Sequence, residues 1–198
     1  MLDTSPPPSA PKQTYNGVFT LLLINLVVFL LDHPLGLPLE VFYLNHANPQ
    51  WFQFITSMFC HANWTHLSSN LFMLYIFGRL VEEEEGWLGV VASYLITGLA
   101  ANLLSWVLQP GAIVSLGASG AVFGLFVVSV LIRLSLNWRR IVEVLILGQF
   151  VVMQVINEIQ QVNVADGVNR IAHLGGALAG VALIVGLRQL VGGRGTDL

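Results

Sequence analysis

Six apolar runs of helix length, separated by polar, proline- or glycine-bearing breaks, make up most of the chain: residues 18–31, 64–81, 87–108, 118–134, 141–156 and 171–190. Runs of this length and polarity predict membrane-spanning helices rather than buried strands. The first extends back to Tyr15 and holds one strongly polar interior residue, Asn25, expected to hydrogen-bond to a neighbouring helix. Several runs fall short of the about 20 residues a bilayer asks for. Either the helices continue past these limits or the bilayer thins around them.

The breaks differ in kind. Residues 1–14 are rich in Pro and Ser, without helical period, and predict a disordered tail; 15–191 form one membrane domain, and 192–198 a short second tail. The start lacks the basic region of a signal peptide, so the first span is expected to be retained. Residues 32–63 form a long connection with Pro34, Pro38 and Pro49. Trp51, Phe52, Phe54, Ile55, Met58 and Phe59 predict that it lies at the membrane interface. Glu82–Gly86 predicts a tight turn, with Glu82 capping it and the other three glutamates solvated. Residues 137–140 predict a basic turn and residues 157–170 a polar loop.

Composition agrees. Of 198 residues, 55% are hydrophobic and 10% charged, with mean hydropathy +0.74, where soluble domains carry about 25% charged residues. The chain is therefore an all-α integral membrane protein, a six-transmembrane-helix bundle whose partner is the lipid bilayer. A net charge of −3 gives no footprint for nucleic acid. The lone Cys60 excludes an internal disulfide and a multi-cysteine metal site, and no cofactor is implied. With six spans, Lys12, Arg79, Arg133, Arg139, Arg140, Arg188 and Arg194 share one side with both termini, against Arg170 alone on the other. The positive-inside rule makes the terminal side cytoplasmic. Small size and a bare six-span core point to a prokaryotic plasma membrane.

Four polar side chains then fall at one depth. The second, fourth and sixth spans all start on the extracytoplasmic side. His66 and Asn70 lie on one face of the second, Ser119 opens the fourth and His173 opens the sixth. Gly117 and Gly120 flank Ser119 and leave its hydroxyl approachable. Gly120 and Gly124 on one helix, Gly176 and Gly180 on the other, allow close packing that brings Ser119 to His173. Each feature has a plainer explanation, since small residues pack membrane helices and a helical serine commonly bonds its own backbone. Their shared depth favours function. His173 is the base available to Ser119. His66 and Asn70, with the Ser119 N–H, would bind an oxyanion. No carboxylate shares that face of the three helices, so a Ser–His dyad is expected, with Asp166 as the nearby candidate for orienting the histidine.

These residues resemble those of rhomboid intramembrane serine proteases. The matching pieces are residues 61–70 (His-Ala-Asn-Trp-Thr-His-Leu-Ser-Ser-Asn), Gly117-Ala118-Ser119-Gly120 with Phe123 and Gly124, and Ala172-His173-Leu174-Gly175-Gly176 with Gly180. The resemblance implies Ser119 as nucleophile, His173 as general base, and His66 with Asn70 at the oxyanion. It also implies that Phe123 packs on the His173 ring and that Glu82 and Gly86 shape the turn between spans two and three. Substrates would be transmembrane proteins cut at segments with small, helix-weakening residues, with the fifth span taking part in their entry. Many members carry Trp-Arg where this chain has Phe52-Gln53, so its first loop is expected to be built differently. His61 is read as structural. The alternative is a catalytically inactive rhomboid-like protein that binds transmembrane clients, but such relatives typically lack the serine or the histidine. A His-Glu-x-x-His zinc helix and paired intramembrane aspartates are both absent from the sequence. A transporter is disfavoured by the lack of an internal repeat.

Overall fold

A computed structural model describes residues 15–134, 137–164 and 167–193, the last three by backbone alone. The tail 1–14, residues 194–198 and Asp166 lie outside the described residues. The elements in order are α1 (Asn16–Asp32), a 3-10 turn (Leu39–Phe42), β1 (Leu44–Asn45), α2 (Gln53–Thr56), a second 3-10 turn (Ser57–Phe59), α3 (Trp64–Leu108), β2 (Val114–Ser115), α4 (Ser119–Ile132), α5 (Trp138–Gln160) and α6 (Arg170–Gly193).

The predicted turn at Glu82–Gly86 is instead almost wholly helical. Glutamate is a good helix former, and the break shrinks to Gly86, whose φ of 74° and ψ of 179° turn the chain within α3. Spans two and three are thus the two halves of α3. Glu82 is buried and caps α1 rather than its own turn: its two carboxylate oxygens accept the N–H groups of Gly17 (2.9 Å) and Val18 (2.8 Å). Glu83 and Glu84, expected to be merely solvated, are paired. Arg133 reaches Glu83 at 2.6 Å and Glu143 at 3.2 Å, while Arg140 reaches Glu84 at 2.8 Å. This cluster ties α3, α4 and α5 together at one end of the bundle.

Helix α4 runs through the centre. Leu125, Phe126, Val128 and Ser129 are buried among α3, α5 and α6, where Phe77 meets Phe126 (4.3 Å between ring centroids) and Phe150 closes the group. A helix of 14 residues is about 21 Å long at 1.5 Å per residue, against about 30 Å for the hydrocarbon core of a bilayer. The shortness of the fourth run is thus a property of the helix itself. The fifth and sixth helices extend past their apolar runs: α5 has 23 residues and α6 has 24. Leucines and isoleucines such as Leu23, Leu145, Ile146 and Leu178 face outward around the bundle, as a lipid-facing belt requires.

Asn25 bonds mainly within its own helix, to the Leu21 carbonyl at 2.8 Å, with the Tyr94 hydroxyl of α3 more distant at 3.5 Å. The connection from 33 to 63 is anchored by Gln53, the residue at the departure from Trp-Arg. Its buried amide donates to the Val41 carbonyl (2.9 Å) and accepts from the Gln50 N–H (3.0 Å), so a neutral side chain closes this loop. Two residues of the same connection pair antiparallel with the segment leading into α4, Leu44 opposite Ser115 and Asn45 opposite Val114. A strand pairing here was not predicted, because two residues give no alternation to read.

Candidate active site

The site grows from the head of α4. No side chain caps that helix, so the N–H groups of its first turn face outward with the positive end of the helix dipole behind them. The approach to Ser119 is set by Gly117, whose φ of 125° suits glycine. A Cβ there would stand 2.6 Å from His66 Cε1, so the ring of His66 lies directly against the Gly117 backbone. His66 Nδ1 is placed to accept the Ala62 N–H at 3.5 Å, and in that tautomer its Nε2 carries a proton to donate. The Asn70 amide donates one hydrogen to the His66 carbonyl at 2.9 Å and keeps a second.

Glycine packing brings α6 to α4. A Cβ on Gly176 would overlap the Gly120 carbonyl, and one on Gly180 would come within 2.7 Å of the Gly124 oxygen. Gly120 and Gly124 in turn lie against Ala101 and Thr97 of α3. At the top of this contact His173 Nε2 lies 2.8 Å from Ser119 Oγ. The Phe123 ring stacks on the imidazole at 4.6 Å between centroids and 10° between planes. That geometry lets imidazole take the hydroxyl proton while the ring is held flat from below.

Ser119, His173, His66, Asn70 and Phe123 all line one cavity of about 680 Å³ that opens from the head of α4. The sequence reading thus named residues that the fold brings together. It missed one. Glu158 of α5 lies on the same cavity, with Oε2 3.1 Å from His173 Nδ1. The sequence puts no carboxylate on that face of the three helices and predicts Glu158 within the polar loop 157–170, but α5 continues through it to Gln160. Val151, Gln154 and Glu158 recur at i, i+3 and i+7, the spacing of one helix face, and that pattern was the available signal.

A second polar layer supports the first. His61 is fully buried, its Nε2 3.4 Å from the Ala118 N–H, at the entrance to α4. Burial above all, with the adjacent His66 ring, pushes its pKa down to about 3, in keeping with a structural role. His46 Nε2 meets Ser115 Oγ at 2.8 Å, the Asn169 amide donates to the same oxygen at 2.8 Å, and Asn169 Oδ1 accepts the Ala172 N–H at 3.0 Å. The first loop, the entry to α4 and the start of α6 are joined one residue before His173. Among the described residues no group of three His, Cys, Asp or Glu is placed to hold a metal.

A family model described as the Rhomboid domain matches residues 48–190. Over 194 residues the chain is 52% identical to "Rhomboid-like protein 11, chloroplastic" of Arabidopsis thaliana, covering 92% of this chain and 69% of that protein. It is 33% identical to "Putative rhomboid protease YdcA" of Bacillus subtilis over 71% of this chain and 69% of the relative. It is 27% identical to "Rhomboid protease AarA" of Providencia stuartii over 84% of this chain and 70% of the relative. Plant and bacterial proteins both occur among these relatives, and the 52% match is to one named as chloroplastic, so the expectation of a prokaryotic plasma membrane finds no support here.

Proposed function

Since the chain belongs to the rhomboid family, a helical membrane family with members named as proteases, we propose that it is an intramembrane serine endopeptidase working through Ser119 and His173. The observation that carries the reading is the 2.8 Å approach of His173 Nε2 to Ser119 Oγ inside the cavity at the head of α4. Ser119 attacks a substrate carbonyl as His173 takes its proton, and the histidine returns that proton to the leaving amine. The oxyanion is held by the N–H groups of the uncapped first turn of α4, the His66 Nε2–H and the free hydrogen of the Asn70 amide.

The cavity lies among helices, and a peptide carbonyl can enter it only after leaving its own helix. The resemblance to the family implies the substrate class, membrane-protein segments with small, helix-weakening residues. The arginine distribution supports termini on the side from which the chain is inserted, with the cavity toward the opposite face. The test compares wild type, Ser119→Ala and His173→Ala on a membrane-embedded reporter in liposomes. Each substitution is expected to lower cleavage by at least about 10⁴-fold. Equal cleavage by all three rejects the Ser119–His173 mechanism, and reporter binding without cleavage by wild type identifies a client-binding protein instead.

A further inference from the structure

Helix α5 is the most outward-facing helix of the bundle, and among its residues only Val151 and Glu158 are buried. That one of two inward positions is a carboxylate needs a cause, because burying a charge is costly unless partners compensate. Its partners are on α6. Glu158 Oε2 lies 3.1 Å from His173 Nδ1 and 3.8 Å from Arg170 Nε. Arg170 also donates to the Gln161 side chain (3.0 Å) and the Val164 carbonyl (3.2 Å), gripping the end of α5. From this placement we infer that Glu158 is a positioning residue for His173, acting on its Nδ1 while Ser119 and His173 remain the reacting pair. The inference deepens the hydrolase reading and rests on it for its catalytic meaning.

The chemistry follows from the two ring nitrogens. Nε2 must be bare to accept the Ser119 proton, so in the neutral ring the hydrogen belongs on Nδ1. A carboxylate at Nδ1 favours that tautomer, and it stabilises the imidazolium formed when Ser119 loses its proton. At 3.1 Å the two atoms are within hydrogen-bond reach but off line, and among the described residues neither has a hydrogen-bond partner. Among the described residues Glu158 Oε2 otherwise meets only the more distant Arg170 Nε, and a small rotation of the carboxylate completes the bond to Nδ1. Such alignment commonly tightens only when substrate closes the site.

Two readouts test this. In the reporter assay Glu158→Gln is expected to lower kcat by at least about 10²-fold, with little change in KM or melting temperature, and Glu158→Asp to recover part of the loss. In detergent micelles, ¹⁵N-histidine spectra, with His173 assigned by comparison with His173→Ala, are expected to show the wild-type proton on Nδ1 and its redistribution toward Nε2 in Glu158→Gln. A packing role alone predicts that the isosteric glutamine behaves as wild type. A kcat within about twofold of wild type, or an unchanged tautomer, overturns the inference. The spectra separate the two claims: a wild type that cleaves nothing rejects the hydrolase, while the tautomer still decides the role of Glu158.

Discussion

Replacing Gly176 by Ala should disable the site without touching any polar group in it. The new Cβ would lie 2.7 Å from the carbonyl carbon of Gly120 and closer still to its oxygen. Carbon atoms in good contact sit about 3.5–4.0 Å apart, so α6 must retreat from α4 by about 1 Å. The obstruction is backbone and cannot rotate away. His173 stands one turn before Gly176 and moves with it, stretching the 2.8 Å link to Ser119 beyond hydrogen-bond length. A 1 Å displacement of this kind costs on the order of 10²-fold in rate, and the overpacking costs about 1–3 kcal/mol of stability. Gly186 supplies the control on the same helix, because nothing lies within 4 Å of a Cβ there. Gly186→Ala should leave activity alone and stabilise slightly, as alanine is the better helix former by about 1 kcal/mol. The assay is reporter cleavage alongside covalent labelling of Ser119 by a fluorophosphonate, each normalised to folded protein by thermal unfolding in detergent. A Gly176→Ala protein that labels and cleaves as fast as Gly186→Ala would refute the packing argument.

Glu82→Gln exchanges one acceptor for a donor facing the Gly17 and Val18 N–H groups. It should cost about 1–2 kcal/mol, seen as a lower melting temperature with unchanged turnover per folded molecule; an unchanged melting temperature counts against the cap. Asn70→Ala should lower kcat by about 10²–10³-fold, since its structural bond is a single one to the His66 carbonyl; unfolding in step with lost activity would mark it as structural instead. His61 binds a proton in the unfolded chain below about 6.5 but in the fold only near pH 3. Unfolded molecules therefore hold more protons between those values, and stability falls as pH drops through the window, by at most about 1.4 kcal/mol per pH unit. His61→Gln should flatten that dependence, and an identical pH 7 to pH 5 loss in melting temperature for both proteins would contradict it.

What the sequence made legible is what membrane physics writes into residue types. Hydropathy located every pass, because lipid tolerates little else on a helix surface. Glycines at four-residue spacing marked the α4–α6 contact, because side chains there would hold the backbones apart. Boundaries were less legible where polar residues enter a helix for tertiary reasons. Asn157 and Glu158 broke the apolar run and looked like the start of a loop, yet α5 continues to Gln160, because Arg170 and His173 compensate the buried charge. Glu85 is exposed as expected, while Glu82, Glu83 and Glu84 differ from expectation for the same cause. Their charges are matched by the α1 backbone and by arginines far along the chain, which spacing along one helix does not reveal.

The arrangement at the head of α4 also separates two motions that a Ser–His pair must resist. Lateral separation of α4 from α6 is limited by glycine contacts, which have no directional preference and would by themselves permit one helix to slide along the other. Sliding is opposed by hydrogen bonds, which are directional. Asn169 caps the Ala172 N–H and donates to Ser115, Ser115 is held by His46, and its strand pairs with the first loop. A helical rise of 1.5 Å per residue means that a slip of even one residue would break a 2.8 Å link. The small residues thus set how near the alcohol and imidazole come, and the polar layer beside them sets at what height they meet. On this division, Asn169→Ala should impair Ser119 labelling more than it lowers the melting temperature, because it frees the axial position of α6 while leaving the glycine interface closed.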